Sequence, residues 1–180
     1  MFETRQLTSA RIALVALASS LMLLAGAHAF EIWGGLAPCP LCLNQREAHW
    51  AAAAIALATW LTTRQPDWTG PQVFMFGGLV AAYAVSAGIA GFHAGVEWGW
   101  FEVPATCGAG GGGESLTARD LLERLGQSAS APSGGEVPWS LFGISMAGYN
   151  LLASVALAAF SAIPVARYLS AGGRTESAVS

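Results

Sequence analysis

Cys39-Pro40-Leu41-Cys42 places two of the chain's three cysteines at the spacing of a redox dithiol. With Cys39 as cap and Pro40 at the first helical position, the motif would open a helix and leave Cys39 at its positive end. Arg46 follows one turn after Cys42. Both features favour the thiolate, the form that attacks a disulfide. The plain alternative is a pair of inert core thiols, since free cysteine often serves as a small apolar residue. A zinc site would need about four ligands, and no second Cys-x-x-Cys or paired histidine accompanies this one. No metal is expected. The third cysteine, Cys107, directly precedes Gly108-Ala109-Gly110-Gly111-Gly112-Gly113, a run that reads as a flexible linker.

The elements that must hold these residues follow from composition. Of 180 residues 54% are hydrophobic and 11% charged, and the eight basic residues are all arginine. A typical globular chain is about 25% charged. Such a chain cannot cover a water-facing surface, so disorder and nucleic-acid binding are excluded. Charge-free intervals cover 12–30, 48–63, 68–96 and 137–166. A bilayer core needs about 20 apolar residues in a helix. Three intervals are long enough, and the second becomes so if Leu41-Cys42-Leu43 joins it and Arg46 snorkels to the interface. The expected fold is therefore an all-α membrane protein, a four-transmembrane-helix bundle forming one domain over residues 1–180. Its spans are 12–33, 42–63, 73–95 and 141–165, with outer loops 34–47 and 96–140.

Arginine placement orients the bundle. With the N-terminus inside, Arg5, Arg11, Arg64, Arg167 and Arg174 face the cytoplasm, leaving Arg46, Arg119 and Arg124 outside. Both termini are then cytoplasmic. All three cysteines fall outside, where disulfides persist. The start also resembles a signal peptide, with Ala27-His28-Ala29 as a small-x-small site. Apolar character resumes through Ile32-Trp33-Gly34-Gly35-Leu36, which favours a first spanning helix. Tryptophans cluster near the expected helix ends, as interface anchors do. In the long outer loop Ser115 can cap a short amphipathic helix, Leu116 to Leu125, suited to lie on the membrane surface.

His93 lies near the outer end of the third span. A lone membrane histidine is as often a packed interhelical contact as a functional group, but ionisable groups at that depth are functional candidates. Arg46 and His93 together can hydrogen-bond a carbonyl acceptor such as a quinone and stabilise negative charge developing on it.

Cys39-Pro40-Leu41-Cys42-Leu43-Asn44-Gln45-Arg46 resembles the Cys-x-x-Cys-x-x-x-Arg signature of the DsbB family. Phe92-His93-Ala94-Gly95-Val96-Glu97-Trp98-Gly99 and Pro104-Ala105-Thr106-Cys107 are similar to the segments carrying that family's quinone-side histidine and loop cysteine. Glu136-Val137-Pro138-Trp139-Ser140-Leu141-Phe142-Gly143 resembles its approach to helix four. The resemblance runs from about residue 12 to 165. It implies a bacterial inner-membrane enzyme that reoxidises a periplasmic DsbA-like thioredoxin-fold oxidase and passes the electrons to ubiquinone or menaquinone, a pathway known to keep the periplasm oxidising. Carried over, Cys39, Cys42 and Cys107 are catalytic, and Arg46 and His93 bind the quinone.

The chain departs from that pattern at one position. The resemblance places a fourth cysteine shortly before the Trp139 segment, where this chain has Gly134. The loop disulfide from Cys107 that the family would form cannot close within this chain. A mixed disulfide at Cys107 would need Cys39 or the partner's second cysteine to resolve it. The alternative reading is a degenerate, non-catalytic member that only binds its partner through the Cys107 loop. Cys-x-x-Cys by itself sets no direction of electron flow.

Overall fold

A computed structural model describes residues 2–65, 69–104 and 134–176. Its elements follow the charge gaps: α1 (Phe2–Ile32), α2 (Pro40–Thr62), α3 (Thr69–Glu97), a short antiparallel pair of β1 (Ser140–Leu141) and β2 (Ile144–Ser145), and α4 (Met146–Glu176). Three helices carry stretches long and apolar enough to cross a membrane, Thr8–Ile32, Gly70–Glu97 and Met146–Ala171. α2 packs between α1 and α3, and α3 packs in turn on α4. Among the described residues three of the four helices are long and apolar, the arrangement of a membrane helix bundle.

The distribution of side chains inverts that of a water-soluble bundle. Met22, Phe74, Val85, Leu152 and Val155 point outward and are more than half exposed. Ser20, Thr59, Ser86, Ser154 and Ser161 are fully buried. Between helices in lipid the hydrophobic effect gives little attraction, so close packing of small residues and interhelical hydrogen bonds take its place. Ala13 and Ala16 of α1, Ala52 and Ala56 of α2, and Phe76, Leu79 and Tyr83 of α3 form the apolar centre with Leu157 of α4. Polar stitches cross it. Tyr83 donates from Oη to the Ala16 carbonyl at 2.9 Å and lies 2.8 Å from Ser20 Oγ. Ser86 Oγ meets Ser154 Oγ at 2.9 Å, joining α3 to α4.

Helix ends are set by local chemistry. At the end of α3, Gly99 takes φ +74°. Trp100 N–H then reaches back to the Gly95 carbonyl at 2.8 Å, and Gly99 N–H to the Val96 carbonyl at 3.0 Å. This paired closure needs a left-handed residue at Gly99. The chain folds Phe101 back onto Gly95, where any Cβ would meet its ring at 2.5 Å. Before α4 the outcome differs from the expected span start at 141. Phe142 and Gly143 both have positive φ, 52° and 77°, the requirement of a two-residue type I′ hairpin turn. Residues 140–145 therefore pair as strands, and the helix begins at Met146, with Ser145 Oγ accepting from Gly148 N–H at 3.1 Å. At the opposite end Gln72 Nε2 donates to the carbonyls of Thr62 and Gln65, tying α3 to α2. The expected surface helix from Leu116 to Leu125 lies outside the described residues, as do the glycine run and Cys107.

Interhelical hydrogen bonds in membrane bundles are worth about 0.6 kcal/mol on average and up to about 1.7. Tyr83→Phe, which keeps the ring but removes the Ser20 and Ala16 bonds, should lower stability by about 0.5–1.5 kcal/mol on this scale. The measurement is the unfolding midpoint on titrating a mild-detergent sample with dodecyl sulfate. An unchanged midpoint would show that the hydroxyl adds nothing to the bundle.

Candidate functional site

Cys39 occupies the cap position of α2 in extended conformation, φ −76° and ψ 164°, with Pro40 in the first turn. Its Sγ accepts the Cys42 backbone N–H at 3.2 Å. The expected cap is therefore present, made by sulfur in place of the usual oxygen, and it satisfies one of the helix's unpaired donors. The same geometry brings Cys39 Sγ within 2.6 Å of Cys42 Sγ. Cys39 is 3% exposed, whereas Cys42 is half-buried.

α3 delivers His93 to this pair from the far side. Its Nε2 stands 3.7 Å from Cys39 Sγ and 3.7 Å from Glu97 Oε1, one helical turn on. Its Nδ1 lies 2.9 Å from Gln45 Nε2 of α2. Gly134, the position expected to hold a fourth cysteine, is buried with its backbone beside the His93 ring. Glu97, its side chain almost fully buried, accepts from Ser145 Oγ at the start of α4. Cys39, Cys42 and His93 place candidate ligand atoms within 4.8 Å of one another. Two thiolates on one tetrahedral zinc, with bonds of about 2.3 Å, would sit about 3.8 Å apart. Among the described residues these three are one ligand short of the four that a closed zinc site takes.

Arg46 is brought to the same cluster, but its charge is shared with α1. Nη1 pairs with Glu31, and Nη2 donates to the Ala27 carbonyl at 3.1 Å. The arginine is only 13% exposed. An arginine at that depth is costly without a partner, and Glu31 provides one.

These groups open onto one cavity of about 370 Å³. That volume falls within the usual range for small-molecule sites, roughly 300–1,000 Å³. Met22 and Leu24 of α1 and Met146 of α4 contribute apolar wall. Phe30 and Trp139, with ring centroids 5.1 Å apart, add an aromatic side. Cys39, Cys42, Arg46 and His93 supply polar groups. Mostly apolar walls with a few convergent polar groups are the pattern of a ligand pocket. The structure thus brings together four of the five residues singled out from sequence, and Cys107 lies outside the described residues. Sequence reasoning missed Glu31, Gln45, Glu97 and Asn150. Glu97 was detectable as the residue four after His93, on the same helix face. Asn150 carried no signal, because only the packing of α4 on α3 brings it here.

Burial orders the reactivity of the pair. Alkylation of the reduced protein in detergent with a small maleimide should modify Cys42 before Cys39, read by peptide mass mapping over time. Faster labelling at Cys39 would contradict the cap geometry.

The family model described as "Disulfide bond formation protein DsbB" matches residues 9–164. A protein named disulfide bond formation protein B from Methylococcus capsulatus is 33% identical over 144 residues, covering 77% of this chain and 83% of that protein. One of the same name from Methylobacillus flagellatus is 31% identical over 130 residues, covering 71% of this chain and 75% of its own length. No solved structure matches the chain. With nearly the whole bundle inside the match and its Cys-x-x-Cys at the helix cap, the chain belongs to the DsbB family of disulfide bond formation membrane proteins.

Proposed function

We propose that this protein is a quinone-coupled thiol oxidoreductase of the bacterial inner membrane that reoxidises a periplasmic DsbA-like thioredoxin-fold oxidase. The observation that carries the reading is the meeting of Cys39, Cys42, His93 and Arg46 at one largely apolar cavity. The family's homologues imply thiol oxidoreductase activity in general. On this reading α2 also spans the membrane. Its 23 residues reach about 35 Å at 1.5 Å per residue, and it lies between α1 and α3. The cysteines face the periplasm, with both termini cytoplasmic, as the arginine distribution favours.

A quinone fits the residues present. Its apolar ring suits the Phe30, Trp139 and Met146 walls, and its carbonyls suit donors such as Arg46. Ubiquinone or menaquinone, when bound, supplies a two-electron, two-proton acceptor. The residues do the remainder. The partner's dithiol is oxidised as the Cys39–Cys42 disulfide is reduced, one sulfur–sulfur bond forming as another breaks. Reoxidation of Cys39 and Cys42 to the disulfide gives up two electrons and two protons, which such an acceptor would take. His93 steadies the Cys39 thiolate from Nε2, and Glu97 stands 3.7 Å from the same nitrogen. Arg46 holds a fixed positive charge where negative charge develops, with Glu31 orienting the guanidinium. Cys107 is the entry thiol. Its thiolate opens the Cys39–Cys42 disulfide to give a Cys107–Cys39 bond and free Cys42. A partner thiolate breaks that bond to give a Cys107–partner mixed disulfide and free Cys39, and the partner's second thiol resolves it.

The assay is quinone reduction, followed by absorbance, driven by an added reduced thioredoxin-fold oxidase. Cys39→Ser or Cys42→Ser should abolish it while circular dichroism reports an intact helical protein. Full activity in either variant would sink the reading. Arg46→Ala removes a charge-assisted hydrogen bond worth roughly 1.5–3 kcal/mol, which corresponds to a ten-fold or greater rise in the quinone concentration at half-maximal rate.

Cys107 has its own test. Cys107→Ser should block oxidation of the partner protein, while Gly134→Cys should produce an internal bridge and faster turnover. Unchanged partner oxidation by Cys107→Ser would mean that the partner exchanges with Cys39 and Cys42 directly.

A further inference from the structure

The site contains a line of buried and half-buried polar side chains that quinone and thiol chemistry do not by themselves call for. It starts at His49 of α2, crosses to Asn150 of α4, returns to Gln45 of α2 and ends at His93 of α3. His49 Nε2 lies 2.7 Å from Asn150 Oδ1. Asn150 Nδ2 donates to Gln45 Oε1 at 2.7 Å. Gln45 Nε2 lies 2.9 Å from His93 Nδ1. His93 Nε2 faces Cys39 Sγ and Glu97 Oε1, each at 3.7 Å. Gln45, His49 and His93 are all less than 8% exposed.

Each link constrains the next, because an amide presents an acceptor at one end and a donor at the other. Asn150 uses its amide nitrogen on Gln45, so its oxygen must accept from His49. Gln45 uses its oxygen on Asn150, so its nitrogen must donate to His93. His93 Nδ1 is then an acceptor, and the proton of a neutral ring resides on Nε2. We propose that His49 and Asn150 are positioning residues that, through Gln45, hold the His93 proton on Nε2, directed at Cys39.

The two ends of the chain argue for this direction over its mirror, in which both amides are turned round. Among the described residues His49 Nδ1 is buried with no hydrogen-bond partner. In the proposed direction that atom is a bare lone pair; in the reverse it would be a buried N–H with no acceptor, the rarer and costlier defect. At the other end His93 Nε2 faces a sulfur and a carboxylate, two acceptors that a bare nitrogen could not satisfy. Ser86 Oγ, 3.3 Å from His49 Nε2, and Ser154, which donates to Asn150 Oδ1 at 3.4 Å, brace the starting point.

This inference deepens the proposed function and rests on it for its purpose, but its test does not need turnover. Protein labelled with ¹⁵N-histidine in lipid nanodiscs reports the tautomer of each ring, with His93 assigned from the signals lost in His93→Gln. Wild-type His93 should show an unprotonated Nδ1 and a protonated Nε2. His49→Leu and Asn150→Leu should mix the two tautomers, and His49→Gln, which keeps an N–H donor, should restore the single one. In the quinone assay the two leucine variants should lose about ten-fold in kcat, as loss of an orienting partner commonly does. Their KM for quinone should stay unchanged, and His49→Gln should recover the rate. A wild-type His93 carrying its proton on Nδ1 overturns the proposal, even if both leucine variants misfold. So does an unchanged His93 tautomer in folded His49→Leu and Asn150→Leu. An inactive wild type with the expected tautomer would instead count against the redox reading.

Discussion

A polar side chain inside an apolar helix bundle has no water to fall back on, so it must pair with another helix or remain unsatisfied. That constraint fixes how these helices sit. Tyr83 engages α1 through Ser20 and Ala16, Ser86 engages α4 through Ser154, and Gln45 engages both His93 and Asn150. Rotating α3 by one residue, about 100°, would strand Tyr83, Ser86 and His93 together. Each stitch alone is weak, yet they specify one register. Cys39 and Cys42 are positioned by the same device, because Gln45 on their helix bonds to α3 and α4.

Charge at the site follows a similar logic. Arg46 sits close to the dithiol, but its guanidinium is clamped by Glu31 and the Ala27 carbonyl of α1. The clamp keeps a deep arginine from being an isolated charge and turns it into a rigid one. Rigid dipoles and charges stabilise developing charge better than mobile ones, because they need no reorganisation during the reaction. Glu97 occupies the matching place on the other side of His93, where Ser145 holds its carboxylate. The cavity between is thus flanked by two acids, each held by a hydrogen-bond donor.

Position 134 shows how a departure from the family pattern reads in three dimensions. Gly134 is buried, with its backbone beside the ring of His93. Farther along the same segment, Trp139 packs against Phe30 at the cavity wall.

Much of this was legible in the chain itself. Charge gaps located the helices because lipid-facing stretches cannot carry charge, and Cys39-Pro40 marked a helix start because proline has no amide proton to lose there. Those are local rules, and they held for the cap of α2. The hairpin at Phe142 and Gly143 was not foreseen, since the apolar run continues through it and only backbone φ distinguishes turn from helix. Which polar groups meet was also beyond the sequence. His49 and Asn150 are 101 residues apart, and Arg46 chooses Glu31 over the thiols beside it. Hydrophobic periodicity says which residues may lie in a bundle, but the pairing of buried donors with acceptors depends on helix rotation and neighbour order. Only the packed tertiary structure determines those.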